Sequence, residues 1–133
     1  MEGEKALSRD ALLGIPVLTL AYEGDAVYEL MVRTRLSRTG FKPGKLNAEA
    51  LRYVSAPAQA EAAGRLHPLF TEEEKSVYLR ARNARVSNIP HGATVEQYHA
   101  ATGLEAVFGW LWLSGAEERV QTLFDAAFSA AEG

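Results

Sequence analysis

The stretch from Val17 to Arg38 constrains the fold of this chain more than any other segment. Its apolar residues recur every three to four positions, the spacing of a helix with one buried face. Those positions are Val17, Leu20, Ala21, Val27, Leu30, Met31 and Leu36. Gly24 and Asp25 interrupt the pattern. Each weakens a helix by up to ~1 kcal/mol relative to alanine, so their presence in a core helix calls for a reason. One interpretation is that Gly24 lets the backbone of another segment approach closely, next to the Asp25 carboxylate held on a rigid helix. The other is an ordinary core helix with one tolerated glycine and a solvated aspartate.

The other segments also indicate helices. Pro16 suits the first turn of the long helix, which we expect to end near Thr39-Gly40. Three helix starts carry a Glu or Gln three residues after a Thr or Ser, which predicts capping boxes at Thr71, Thr94 and Ser114. No segment shows sustained strand alternation. The sequence therefore predicts an all-α fold, with helical segments at 17–38, 45–55, 58–66, 71–86, 94–113 and from 114 onward.

The composition fits one globular domain spanning residues 1–133. The chain is long enough to bury one core, and its 47% hydrophobic and 23% charged residues are ordinary for such domains. Cysteine is absent, which excludes disulfides and thiolate metal sites. No apolar run reaches the ~18–20 residues that span a bilayer, and the first ten residues lack a secretory apolar core. These features predict a cytoplasmic protein without a membrane segment.

The charge of the chain is unevenly distributed. Its net charge of −3 by itself argues against nucleic-acid binding. Two runs nevertheless hold more than half of the 14 basic residues, so local basic patches remain compatible with an acidic chain. The first run is Arg33, Arg35, Arg38, Lys42 and Lys45, and the second is Arg80, Arg82 and Arg85.

A second apolar segment, residues 101–113, contains one ionisable side chain, Glu105. A helix that is apolar nearly all round is buried, and a buried carboxylate must be paired, protonated or bound to a metal. The same reasoning applies to Asp25. Because each of the two helices carries glycine and an acid within an apolar pattern, we expect them to pack through their glycines and to present Asp25 and Glu105 to one cation.

Carboxylate ligands without cysteine, and with only three scattered histidines, favour Mg²⁺ over zinc. Mg²⁺ takes one or two carboxylates, several waters and substrate phosphate oxygens, as in a phosphodiester hydrolase. The alternative is structural, with Asp25 paired to Arg33 or another basic neighbour and Glu105 bonded to a polar core group. Glu29 is equally open, since it either serves the site or forms an i,i+4 ion pair with Arg33.

Three motifs, in order along the chain, resemble the ribonuclease III catalytic domain. Gly24-Asp25-Ala26-Val27, preceded by Leu20-Ala21-Tyr22, is similar to the signature helix of that family, and Leu104–Gly109 resembles its second acidic helix. Phe70–Val86 resembles the helix between them. The motif Arg82-Asn83-Ala84, and the lack of a segment for a double-stranded-RNA-binding domain, make the chain similar to Mini-III, the short bacterial branch of the family.

The resemblance implies catalytic and metal-binding roles for Asp25 and Glu105. Ribonuclease III normally carries two further acids, where this chain has Ala21 and Thr102. Mini-III proteins resemble this chain in being reduced at these positions, so the losses do not imply an inactive enzyme. The number of cations in the site stays open.

The fold implied by the resemblance is an all-α, ribonuclease III-like endonuclease domain packed around the long signature helix. Its implied activity is hydrolysis of double-stranded RNA that matures 23S ribosomal RNA precursors, with Mg²⁺, or Mn²⁺ as a substitute, activating the water. Phosphate contacts are expected from Arg80, Arg82, Asn83 and Arg85, with Arg33 and Lys45 as further candidates.

A homodimer is also implied, and the need for a ribosomal protein partner stays open. We expect the dimer to use the apolar faces of the two acidic helices, because large apolar residues are in excess there, including Met31, Tyr28, Trp110 and Trp112. The rival hypothesis is a non-catalytic helical module that binds RNA or protein and has lost part of the acidic site.

Overall fold

Seven α-helices and one 3₁₀ turn form the computed structural model, which describes residues 6–85, 89 and 91–132, with 129–132 as backbone only. The helices are α1 (Arg9–Leu13), α2 (Val17–Leu36), α3 (Pro43–Val54), α4 (Ala56–Leu66), α5 (Glu72–Arg82), α6 (Val95–Leu113) and α7 (Glu117–Glu132). The predicted all-α fold is confirmed, and the described residues contain no strand. Within that same part of the chain, no helix is both long and apolar enough to cross a membrane.

Two helix starts carry the capping boxes that the sequence predicts. At α5 the Glu74 N–H donates to the Thr71 hydroxyl at 3.2 Å, and the Thr71 N–H donates to the Glu74 carboxylate at 2.9 Å. Thr94 and Gln97 repeat this arrangement at α6, with distances of 2.9 and 3.0 Å. Each box satisfies two backbone donors that the first helical turn leaves without a partner.

The third predicted capping box, at Ser114, is wrong. Ser114 has α-helical dihedrals and closes the end of α6, and its hydroxyl donates to the carbonyl of Leu111 at 2.8 Å. Gly115 follows with a φ of +79°, a conformation that glycine adopts without steric cost. The chain therefore turns at Gly115, and Ser114 is too early to cap a helix that begins at Glu117.

The long helix α2 buries one face, as its apolar spacing predicts, with one exception. Leu30 is 57% exposed, so its assignment to the buried face is wrong. Tyr28 points inward instead, and its ring lies edge-on to Phe108 at a centroid distance of 5.1 Å. The helix ends at Leu36, somewhat earlier than predicted, and a turn leads to Gly40 with a φ of +82°. The buried face comprises Leu20, Ala21, Gly24, Val27, Tyr28, Val32 and Leu36.

Helices α2 and α6 pack with their backbones in direct contact. A Cβ atom added to Gly24 would lie 1.6 Å from the carbonyl oxygen of Glu105. A Cβ atom added to Gly109 would lie 2.0 Å from the carbonyl oxygen of Leu20. Neither distance is sterically allowed, so both positions require a residue without a Cβ atom. The prediction that the two acidic helices pack through their glycines is confirmed at this contact.

A buried ion pair ties α7 to the start of α5. Glu74 is 2% exposed, and Arg119 of α7 donates to both of its carboxylate oxygens, at 2.8 and 2.9 Å. The same guanidinium also donates to the carbonyl of Leu69 at 2.7 Å. Burial raises the pKa of Glu74, but the hydrogen bonds from Arg119 and Thr71 outweigh it and leave the pKa below its ordinary value. The pair therefore remains ionised and holds the two helices together.

Candidate active site

Asp25 and Glu105 converge on one cavity of about 260 Å³ between α2 and α6. The residue before Asp25 is Gly24, which contacts the backbone of Glu105 itself, so the glycine contact sets the separation of the two acids. Both acids therefore lie beside the point where the helices touch. The cavity is lined by Leu18, Ala21, Tyr22 and Asp25 of α2, and by Tyr98, Thr102 and Glu105 of α6.

The carboxylates of Asp25 and Glu105 interact directly. Burial first, and then the charge of Asp25 and a side-chain hydrogen bond with it, raise the pKa of Glu105 to about 8. Because this pKa lies above neutral pH, Glu105 holds a proton in the cation-free pair. A divalent cation would displace that proton and remove the repulsion between the two acids.

The two acids differ in exposure, which corrects one expectation. Glu105 is partly buried, whereas Asp25 is exposed rather than buried. None of the ion pairs among residues 6–85 and 91–128 includes either acid. Arg33, the partner that the structural alternative gives to Asp25, is instead paired with Glu29 at 3.3 Å. Glu29 does not line the cavity, and its pairing with Arg33 is compatible both with a plain i,i+4 ion pair and with holding Arg33 toward a phosphate.

Gln59 belongs to this site and is not among the residues that the sequence predicts for it. Gln59 lies on α4, is 2% exposed, and makes a hydrogen bond with Glu105 that lowers the pKa of that carboxyl. A signal for it exists in the sequence. Gln59 shares the helical spacing of Ala62, Ala63 and Leu66, which are all buried, so it is a lone amide on an apolar face.

The donor set fits a hard divalent cation that takes most of its ligands from water. Among the described residues no group of three or more His, Cys, Asp or Glu side chains could hold a metal, so the protein offers two carboxylates. Mg²⁺ accepts such a site because it binds one or two carboxylates and retains several waters. The side chains of Ala21 and Thr102 are short, and the cavity between them has room for those waters.

None of the predicted phosphate-binding residues lines this cavity. Arg80 lies in a separate groove with Arg9 and Glu73. Arg82 ends α5, and its guanidinium lies 6.0 Å from the centroid of the Tyr78 ring. The predicted phosphate-binding residues therefore lie outside the acidic cavity. The residues concerned, all of them exposed, are Arg33, Lys45, Arg80, Arg82, Asn83 and Arg85.

Helix α5 is shorter than predicted at its C-terminal end. The helix stops at Arg82, and the backbone N–H of Asn83 donates to the carbonyl of Leu79 at 3.0 Å. Arg85 follows this end as an exposed residue. The predicted end of the helix at Val86 lies outside the described residues. Arg82, Asn83 and Arg85 therefore form one exposed polar segment at the end of α5.

The apolar residues predicted for a dimer interface are only partly available on the surface. Tyr28 is 3% exposed, so its assignment to a subunit interface is wrong, and the reason is its contact with Phe108 in the core. Met31 and Trp112 are partly buried and line a groove of about 380 Å³ together with Leu30. Leu30 is exposed in the single chain, so in this groove it is the α2 residue with apolar surface available for a contact with a second subunit.

Comparison with known proteins agrees with this architecture. Residues 18–116 match the family described as Ribonuclease III domain, a range that contains both acids. The chain is 37% identical to the Mini-ribonuclease 3 of Thermoanaerobacter sp. over 133 residues, which cover 99% of this chain and 94% of that protein. It is 46% identical to the Mini-ribonuclease 3 of Symbiobacterium thermophilum over 116 residues, with coverages of 86% and 89%. The crystal structure of a protein from Fusobacterium nucleatum superposes with a TM-score of 0.84 and 29% identity, covering 92% of this chain and 98% of that one.

Proposed function

This chain belongs to the Mini-ribonuclease 3 branch of the ribonuclease III family and is a ribonuclease, and from that premise we propose that it cleaves double-stranded RNA internally. Asp25 and Glu105 are its proposed catalytic and metal-binding residues. The observation that carries this proposal is their convergence in one cavity, close enough for the charge of Asp25 to raise the pKa of Glu105. Ionising both carboxyl groups at this separation costs free energy, which a divalent cation would offset.

The proposed cofactor is Mg²⁺, with Mn²⁺ as a substitute. When bound, the cation supplies a more acidic water and neutralises charge on the phosphate. Asp25 and Glu105 would hold it, and Glu105 would release its proton on binding. Gln59 orients the Glu105 carboxylate through its hydrogen bond, and the glycine contact fixes the distance between the helices before substrate arrives.

The shape of the site suits attack on an RNA backbone. The cavity opens between two helices and Asp25 is exposed, so a phosphodiester can reach the acids while its base stays paired. In-line hydrolysis at phosphorus would break the bond to the 3′ oxygen and leave 5′-phosphate and 3′-hydroxyl ends. Recognition of the duplex then depends on shape and backbone contacts, because side chains cannot read the deep major groove of A-form RNA.

Arg82, Asn83 and Arg85 at the end of α5 are the proposed backbone contacts, with Arg80, Arg33 and Lys45 as additional ones. Their exposure outside the acidic cavity supports this division of roles, since phosphate contacts position a duplex without taking part in the chemistry. Arg33 is already paired with Glu29, at an exposed site where such a pair is worth little, so a phosphate can compete for it.

The proposed biological role is the maturation of 23S ribosomal RNA precursors in the cytoplasm, by a homodimer of single-domain subunits. A dimer would present one pair of Asp25 and Glu105 to each strand of a duplex. The family assignment supports this role, and a ribosomal protein that presents the precursor is the proposed partner.

The test is cleavage of a long RNA duplex with Mg²⁺ or Mn²⁺, by the wild type and by the Asp25→Asn and Glu105→Gln variants. We expect each variant to lose more than about a hundredfold in rate, because each removes a metal ligand. Glu72→Gln is the matched control, since Glu72 has a 93% exposed carboxylate on α5. Duplex binding by the wild type without cleavage in either metal would instead establish the non-catalytic module and overturn the proposal.

A further inference from the structure

The acidic cavity has no basic side chain to receive a phosphate. Its described lining contains two carboxylates and no lysine, arginine or histidine. An RNA strand that enters it is anionic, and repulsion between unit charges in a partly buried site amounts to several kcal/mol. A bound divalent cation offsets part of this repulsion. The remaining phosphate oxygens must then find neutral hydrogen-bond donors in the cavity wall.

Three side chains of the cavity wall carry a hydroxyl, those of Tyr22, Tyr98 and Thr102. The Thr102 hydroxyl donates to the backbone carbonyl of Tyr98 at 2.9 Å, so its proton is already used. The phenol hydroxyls of Tyr22 and Tyr98 make no hydrogen bond with any other residue that the structure describes. Two free donors therefore remain in the wall, one on each helix.

Both tyrosines lie on the same helix faces as the acids. Tyr22 precedes Asp25 by three residues on α2, and Tyr98 precedes Glu105 by seven on α6, which are spacings that place side chains along one face. Tyr22 is 80% exposed, the highest exposure among the large hydrophobic residues that the structure describes. An aromatic side chain left in water beside an acidic cavity gains apolar contact when a ligand covers it.

We propose that Tyr22 and Tyr98 are RNA-binding residues whose hydroxyls donate to non-bridging phosphate oxygens of the strand being cut. Their rings pack against the adjacent riboses. This inference rests on the proposed function, because it assumes an RNA backbone at Asp25 and Glu105. Neutral donors suit this position because they bind phosphate oxygens without repelling the cation. They also read no base, so the contact is independent of RNA sequence.

The test uses Tyr22→Phe, Tyr98→Phe and the double variant, which remove hydroxyls and keep the rings. Single-turnover cleavage of a duplex is measured over a range of RNA and salt concentrations, and Mn²⁺ binding is measured without RNA. We expect each variant to raise the half-saturating RNA concentration roughly fivefold, the effect of losing one hydrogen bond. The salt slope and the Mn²⁺ affinity should stay at wild-type values, because a phenol releases no counterions and is not a metal ligand.

Tyr53→Phe is the matched control, since Tyr53 is buried on α3 and its ring stacks on Phe128 at 4.2 Å. This variant should cleave RNA as the wild type does. Wild-type RNA saturation in the double variant would overturn the inference while leaving the proposed function intact. A changed salt slope or a lost Mn²⁺ affinity in the tyrosine variants would also overturn it. A wild-type protein that neither binds nor cleaves the duplex would overturn both.

Discussion

A glutamate with a pKa of about 8 makes the stability of the cation-free protein depend on pH. In the unfolded chain Glu105 returns to its ordinary value of 4.5, so between the two values the folded state holds a proton that the unfolded state has lost. The free energy of unfolding therefore falls as pH rises through this window. Glu74 does not mask the effect, because its lowered pKa acts on stability only below its ordinary value.

We predict that Glu105→Gln removes this pH dependence. Wild-type protein in EDTA should lose about 1–2 kcal/mol of stability between pH 5 and pH 8, less than the full shift at ~1.4 kcal/mol per unit because the site is partly solvated. The free energy of unfolding of the variant should fall less over the same pH range, and at pH 8 the variant should be more stable than the wild type. Urea unfolding at several pH values measures both. Parallel curves for the two proteins would contradict the assignment of the raised pKa to Glu105.

At the level of single residues, the acids of the site were easier to predict than their neighbours. Glu105 stands out because it is the one ionisable residue of the apolar segment 101–113, and Asp25 stands out because it follows Gly24 in the middle of a long helix. The interaction of Gln59 with Glu105 could not be predicted from the sequence, because it joins α4 to α6 and depends on how these helices are arranged in space. Asp25 itself was predicted to be buried, and local hydrophobicity could not show that its side chain points out of the core.

At the level of helices, the contact between α2 and α6 has no room for an added methyl group. We predict that Gly109→Ala lowers the free energy of unfolding by about 2–3 kcal/mol, the usual cost of overpacking a core. The added Cβ atom would lie 2.0 Å from the carbonyl oxygen of Leu20, so the helices must separate. Separation also moves Asp25 away from Glu105, and Mn²⁺ affinity should fall with stability. Urea unfolding and calorimetric Mn²⁺ titration measure the two effects.

Gly64→Ala is the control for that variant. Gly64 lies within α4, and a Cβ atom there has no heavy atom within 4 Å. This change should be neutral or stabilise the protein by about 0.5–1 kcal/mol, because alanine is the better helix former. Equal stability of the Gly64 and Gly109 variants would show that the helices can part without cost.

Local chemistry also explains which helix boundaries could be predicted. The capping boxes at Thr71 and Thr94 depend on groups within four residues, and both are present. Ser114 has the same sequence pattern, yet it falls where the preceding helix ends, and a serine at a helix end can bond backwards as readily as forwards. The predicted capping box at Ser114 is therefore wrong, because this side chain bonds back to the helix that ends there.

At the level of the whole molecule, a chain with a net charge of −3 must bind RNA through a few local cations. We predict weak duplex affinity that falls steeply with salt, at roughly 0.9 log unit per tenfold salt for each phosphate contact, by analogy with B-DNA. Replacing both Arg82 and Arg85 with alanine should weaken binding to every duplex and flatten this slope. Filter binding at several salt concentrations measures the change.

The control is Arg52→Ala on α3, because Arg52 is an exposed arginine that lies outside both basic runs and is not among the proposed RNA contacts. Its salt slope should match that of the wild type. The arginine double variant should keep wild-type Mn²⁺ affinity, since neither side chain lines the acidic cavity. Loss of Mn²⁺ affinity with an unchanged salt slope would place these arginines in the structure of the site and move the RNA-binding surface elsewhere.

The glycine contact between α2 and α6 also bears on how such a site can change during evolution. Because main-chain atoms of the two helices touch, their spacing does not depend on the side chains that face the cavity. Ala21 and Thr102 line that cavity and are not among the atoms nearest to either glycine position, so a carboxylate in place of one of them would add a candidate metal ligand without adding a group at the contact. Carboxylates can thus be lost or regained one at a time along a lineage, each change tuning metal affinity while the helices keep their positions.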